Sequence, residues 1–308
     1  SHRQQFLLQP FLDAFTAETG VETNVVYASK GLAQRLQAEG EASPADVILT
    51  VDIARLSEYA DLDLLAAVES QVLSANIPAN LRAGDNRWFA FSTRARLVAV
   101  SKDRVPEGAI TNIEDLADPK WQGTICSRKG SHVYNRSLLA SVVAANGADA
   151  AEAWAEGLVA NFARKPQGND RAQAKAIFEG QCDVAIMNHY YYGKMLFGDK
   201  DEQRDWANAI RLVFTNQDGR GNHVNISGGG VAKHSPHRDD AVRFLEFLTS
   251  PTAQQLYGEV NFEYPTNPAV SPGGVLSSWG TFKSDDLAIE RLAELAPQAQ
   301  MIIDRSEW

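Results

Sequence analysis

Apolar positions along the chain alternate between helical and strand-like spacing. Phe11, Leu12 and Phe15 line one face of a segment that stops at Gly20, the pattern of an amphipathic helix closed by a residue that tolerates positive φ. Residues 21–27 then read as a strand. Residues 30–39, with Leu32 and Leu36 one turn apart, stop at Gly40 and lead into 46–50, an apolar run of the length of a buried strand. This βαβ rhythm predicts an α/β fold with mainly parallel sheets.

Farther on, apolar runs at 88–91 and 97–100 flank the polar stretch Ser92-Thr93-Arg94-Ala95-Arg96, a pattern that fits a crossover between two lobes. The α/β rhythm resumes with helices over 135–145, around Trp154 and Leu158, and over 170–179, followed by a strand at 182–187. Residues 224–232 hold Gly228-Gly229-Gly230 between apolar neighbours, which fits either a return hinge using φ > 0 or a plain turn. Helices over 239–248 and 251–260, the second with Pro251 in its first turn, return to the first lobe. Pro265, Pro268, Pro272 and Gly273-Gly274 mark a loop, and 287–293 predicts a terminal helix. The expected lobes are therefore 1–95 plus 226–272, and 96–225 plus 273–308.

A chain of 308 residues, 44% of them hydrophobic, can bury a substantial core. Its net charge of −10, from 29 Lys and Arg against 39 Asp and Glu, argues against a nucleic-acid partner, whose affinity needs clustered cations. Apolar runs such as 138–145 fall far short of the roughly 20 residues that cross a bilayer, so no membrane span is expected. The chain opens without Met or a basic-then-apolar leader, and reads as a mature or trimmed form. Cys126 and Cys182 each lie in a strand-like run. They form either a disulfide in an oxidising compartment or two buried thiols.

The most unusual segment is Asn188-His189-Tyr190-Tyr191-Tyr192-Gly193, directly after the strand at 182–187. Ligands of α/β sheets bind where strands end. Tyr190 and Tyr191 could share one ligand only if the chain turns there, for instance into a helix. The plainer alternative is packing of three aromatics between helix and sheet. Tyr134 stands at a similar strand-to-helix position. Phenolate is a hard anionic oxygen donor, so converging tyrosines point to Fe³⁺ rather than Zn²⁺ or Cu⁺, and affinity should fall in acid because the phenol protons must leave. Of the six histidines, none has zinc-site spacing; His234 and His237 suit a solvated loop, whereas His2 lies where a first strand would end. No nucleophile elbow, Walker loop or dinucleotide fingerprint occurs, and the enzyme reading finds no catalytic constellation.

Three segments, Phe11-Leu12-Asp13-Ala14-Phe15-Thr16-Ala17-Glu18-Thr19-Gly20, Pro44-Ala45-Asp46-Val47 and Arg243-Phe244-Leu245-Glu246-Phe247-Leu248-Thr249-Ser250-Pro251, taken with the tyrosine pattern, resemble the ferric-ion-binding periplasmic proteins of bacterial ABC importers. The resemblance runs over nearly the whole chain. It implies a type II periplasmic-binding-protein fold, two α/β lobes joined by crossover strands at a hinge and closing on an ion held in the cleft. It implies Tyr134, Tyr190 and Tyr191 as the iron ligands, with Tyr192 an extra aromatic. Arg3 matches an arginine that holds a carbonate or bicarbonate anion, and Arg94 is a second anion candidate. Gln4 and Gln5, and Val51, stand where some relatives supply further iron ligands, which favours three tyrosines plus an anion or water. The implied role is a monomeric periplasmic carrier that delivers Fe³⁺ to an ABC transporter permease. The alternative on the same fold is a binder of a polyamine, thiamine or sugar phosphate, with the tyrosines stacking on the ligand.

Overall fold

The protein is described by a computed structural model covering residues 1–28 and 30–308. It is a mixed α/β chain that divides into two compact units. The first comprises 1–93, 226–279 and 288–290; the second comprises 94–225, 280–287 and 291–308. Eight strands are present among the described residues: β1 (Val47–Val51), β2 (Leu65–Ala66), β3 (Phe89–Ser101), β4 (Ile125–Cys126), β5 (Val184–Asn188), β6 (Ile210–Val213), β7 (Val224–Ala232) and β8 (Tyr264–Pro265). The chain passes from the first unit to the second within β3 and returns within β7.

In the first unit β1 and β2 pair with β7, and β8 pairs with the start of β3, all antiparallel. The helix Gln5–Thr19 buries Leu8, Phe11, Leu12 and Phe15, and ends at Gly20 with φ 74°. These side chains meet Phe244, Leu245 and Leu248 of the helix Arg238–Leu248 and Tyr257 of the helix Pro251–Asn261 in one core. Residues 273–279 stay with this unit, where Leu276 of the helix Gly274–Ser278 reaches the helix Pro251–Asn261 beside Gly258. In the second unit β3 pairs antiparallel with β5 and β6, and β4 pairs parallel with β5. Its core gathers Leu97 and Ala99 of β3, Ala185 and Met187 of β5, and Ala174 and Ile177 of the helix Asp170–Phe178.

Cys126 and Cys182 are joined, with Cα atoms 5.9 Å apart. The bond ties β4 to the chain entering β5, in a parallel register of Cys126 with Ala185. Closing a loop across 56 residues of sequence removes about 4 kcal/mol of unfolded-state freedom on the chain-entropy account.

Several expectations change. Among the described strand pairs the ladders are mostly antiparallel rather than parallel: the long strands β3 and β7 run against the neighbours they pair with, and only β4 and β5 run together. Residues 89–91 and 97–100 belong to one continuous strand, β3, with the polar stretch between them inside it. Gly228, Gly229 and Gly230 form no turn and take no positive φ. They sit inside β7 because a Cβ there would lie 2.5 Å from the Phe89 oxygen, 2.2 Å from the Ile48 oxygen or 2.3 Å from the Arg87 oxygen. The glycines serve close backbone approach. Residues 21–27 form no strand, and the chain closes with two helices, Glu290–Glu294 and Ala296–Ser306, rather than one.

Candidate metal centre

β5 ends at Asn188, and the chain turns at once into the helix His189–Leu196. This junction puts Tyr190 and Tyr191 in the first helical turn, with ring centroids 4.4 Å apart. The imidazole of His189 is fully buried and bonds the Ala95 backbone, its Nδ1 accepting from the N–H at 3.1 Å. That contact fixes the turn against β3. Tyr134 comes from the first turn of the helix Val133–Asn146, whose N-terminus is capped by His132 accepting from the Tyr134 N–H at 3.2 Å. The Tyr190 hydroxyl donates to the Tyr134 hydroxyl at 3.2 Å. The three rings named from the sequence therefore meet in the second unit.

Cations surround them. The guanidinium carbons of Arg94, Arg96 and Arg128 lie 5.5, 5.8 and 5.3 Å from the Tyr134 ring centre. Arg171 stands 5.1 Å from that of Tyr191, and Lys194 stands 5.2 Å from that of Tyr190. All are within cation–π range. Arg96 is buried and held in place: it donates to Asp170 at 3.1 Å, Asn188 at 2.8 Å and Asn135 at 2.9 Å. Asp170, also fully buried, accepts in addition from Arg128 at 3.0 Å and from the Asn188 N–H at 2.8 Å. One carboxylate thus orders two of the arginines and the end of β5. Burial drives the Arg96 pKa down, and the facing Asp170 charge opposes that.

Burial likewise pushes the Tyr190 phenol well above its ordinary value, reinforced by repulsion from Tyr134 and Tyr191 and opposed by Arg94. Tyr191 is pushed up to about 12, by burial first and then by Tyr134 and Asp170. The shifts favour the neutral phenols of Tyr190 and Tyr191, so a bound cation must displace their protons. Tyr192 packs on the unit's hydrophobic core, and burial raises its pKa too. Among the described residues, no three His, Cys, Asp or Glu side chains gather into a metal site.

Arg3 lies in the first unit, 7% exposed, with its fork on Glu263 at 2.9 and 3.4 Å. Ser227 also donates to that carboxylate at 2.9 Å, and Ser92 makes a further bond to it. His2 is in the first unit, its ring 6.1 Å from that of Tyr59, with a pKa that burial lowers to about 4. His237 is exposed beside Asp46. Sequence reasoning missed Arg96, Arg128, Asp170, Asn135, Arg171 and Lys194. One signal was present: Arg94 and Arg96 are two apart on β3 and so share a face.

No helix among the described residues is long and apolar enough to cross a membrane. Iron uptake protein A1 of Synechocystis sp. is 42% identical over 295 residues, 96% of this chain and 82% of the relative. Ferric iron-binding protein A of Mannheimia haemolytica, solved in an open conformation, matches at 45% identity and a TM-score of 0.93, over 99% of this chain and 96% of that one. A Trichodesmium protein solved in complex with iron and citrate ligands matches at 41% identity and a TM-score of 0.96, over 100% of this chain and 98% of that one. These neighbours share the periplasmic solute-binding fold. Residues 1–255 match the model of the bacterial extracellular solute-binding proteins, and the chain belongs to that family.

Proposed function

We propose that this protein is a periplasmic carrier that captures Fe³⁺ through the phenolates of Tyr134, Tyr190 and Tyr191 and hands it to an ABC transporter permease. The observation that carries the reading is the meeting of three tyrosines from two strand-to-helix junctions, two of them in hydroxyl contact at 3.2 Å. Relatives named for ferric iron and iron uptake support it. Three phenolates match the charge of a ferric ion, and hard oxygen donors suit it. Five cations surround the rings, and Asp170 holds two of them, Arg96 and Arg128; this positive surrounding favours an anionic co-ligand. Arg94 and Arg3 are the residues assigned to a carbonate or bicarbonate; Arg94 already stands against Tyr134, whereas Arg3 would have to exchange its hold on Glu263. The role is carriage without turnover.

Metal analysis and a visible spectrum of protein purified without chelators test this. About one iron per chain with a phenolate-to-iron absorption band is expected. A colourless protein that takes up no ferric iron, but binds thiamine, a polyamine or a sugar phosphate, would overturn it.

A further inference from the structure

In the first unit a buried carboxylate already sits on the guanidinium of Arg3. Arg3 donates through both terminal nitrogens, to Glu263 Oε1 at 2.9 Å and to Oε2 at 3.4 Å, the paired geometry by which an arginine takes a planar oxyanion. The Ser227 hydroxyl donates to Oε2 at 2.9 Å, and the Ser92 hydroxyl donates to the same oxygen. Both charged side chains are only 4% exposed. Donors from three side chains therefore converge on one carboxylate, and the Tyr257 ring centre lies 5.8 Å from the guanidinium carbon.

The chain is shaped to deliver that carboxylate. The helix Pro251–Asn261 ends at Phe262, which takes the left-handed conformation, φ 55° and ψ 36°, one that a residue with a Cβ seldom adopts. The Phe262 ring stays on that of Trp279, with 6.4 Å between centroids, and the Glu263 N–H closes the turn on the Tyr257 oxygen at 3.0 Å. β8 begins at the next residue and pairs Tyr264 with Thr93 and Pro265 with Ser92. Backbone strain held in place from both sides points to a functional position. The two serines stand where the chain changes unit. Ser92 precedes Thr93, the last residue of the first unit on β3, and Ser227 follows Ile226, where β7 re-enters it.

Arg3, Ser92 and Ser227 thus form an oxyanion seat whose occupant belongs to the chain itself. We propose, resting on the assignment of Arg3 to the anion, that Glu263 is the resident occupant of this seat and the residue that sets the anion threshold. A small planar oxyanion such as bicarbonate engages Arg3 only by taking its guanidinium from Glu263, and this exchange fixes how much anion ferric capture requires. The exchange is uphill because the carboxylate left behind is buried and loses its facing charge. The serine hydroxyls keep hold of it without supplying charge, so β3 and β7 stay tied to the Glu263 turn while the ion pair opens.

Two variants test this through different readouts. Glu263→Gln keeps the shape and an acceptor for the serines but presents no charge to Arg3. The bicarbonate concentration that gives half of the phenolate-to-iron absorbance should fall about tenfold in this variant, with the absorbance at saturating bicarbonate unchanged. Glu263→Ala empties the seat. In iron-free protein its Tm should be lowered and restored saturably by formate, but not by chloride at equal ionic strength, whereas the parent should show no response to formate. Adding Arg3→Met to Glu263→Ala should abolish the rescue. An unchanged bicarbonate midpoint in Glu263→Gln would overturn the proposal, as would a Glu263→Ala chain that formate fails to restore or a rescue that survives Arg3→Met. If Glu263→Ala does not fold, the Glu263→Gln midpoint decides alone. The formate arm needs no iron: rescue there, with a parent that develops no absorbance, would defeat the tyrosine reading while upholding the seat.

Discussion

Both units bury tyrosines, and they do so to different ends. In the first, Tyr59, Tyr257 and Tyr264 have no ring contact with one another among the described residues; burial raises each phenol, and Tyr257 packs on Phe11 beside Arg3. In the second, Tyr134, Tyr190 and Tyr191 are pushed together at strand ends and ringed by cations. A raised phenol pKa is therefore common to both units and marks no site. Convergence marks it, together with a network of buried charge that holds the surroundings of the rings fixed.

That contrast can be broken by substitution. Tyr190→Phe or Tyr191→Phe should lower ferric affinity by at least about 100-fold and remove the visible band, with the fold retained by circular dichroism; Tyr257→Phe should leave both untouched. Asp170→Ala strands two arginines, one fully buried, and should cost about 3–5 kcal/mol in urea unfolding; a loss below 1 kcal/mol would show that the network is not a unit. Arg94→Met should weaken iron binding about tenfold, chiefly when bicarbonate is present. Arg3→Met should have a smaller effect on the anion dependence, because its guanidinium is engaged by Glu263. If Arg3→Met has the larger effect, the order of the two anion residues is reversed.

The pH dependence has a fixed sign. Tyr191 is pushed up to about 12 and Tyr190 is also raised, so between pH 5 and 8 these two phenols keep their protons until a cation displaces them. Each phenol that becomes an iron-bound phenolate releases one. Affinity should rise with pH across this window and fall as acid returns the protons, measured by competition with a chelator at several pH values.

Much of this was legible in the sequence, for identifiable reasons. The helix Gln5–Thr19 announces itself by three apolar residues on one face and a glycine stop, and the structure keeps both. The turn after β5 that lets adjacent tyrosines share a pocket was a stated condition, and the helix His189–Leu196 supplies it. Pairing partners were not legible: the parallel order fails because spacing reports which face is apolar, not which strand lies alongside. The return between the units does fall in β7, but the Gly228-Gly229-Gly230 run there makes no turn and takes no positive φ: a requirement for no side chain leaves the same letters whether it serves a turn or a close approach. Asp170 looked like an ordinary first-turn helix residue; its grip on Arg96, 74 positions away, exists only in three dimensions.

The most direct test of the central claim is the count of protons released when ferric iron binds, measured in weak buffer near pH 7 on the parent protein and on Tyr190→Phe. The account predicts about three protons per iron from the phenols, beyond those of the iron salt itself, and one fewer in the variant. Release that is unchanged by Tyr190→Phe, with the visible band intact, would contradict it.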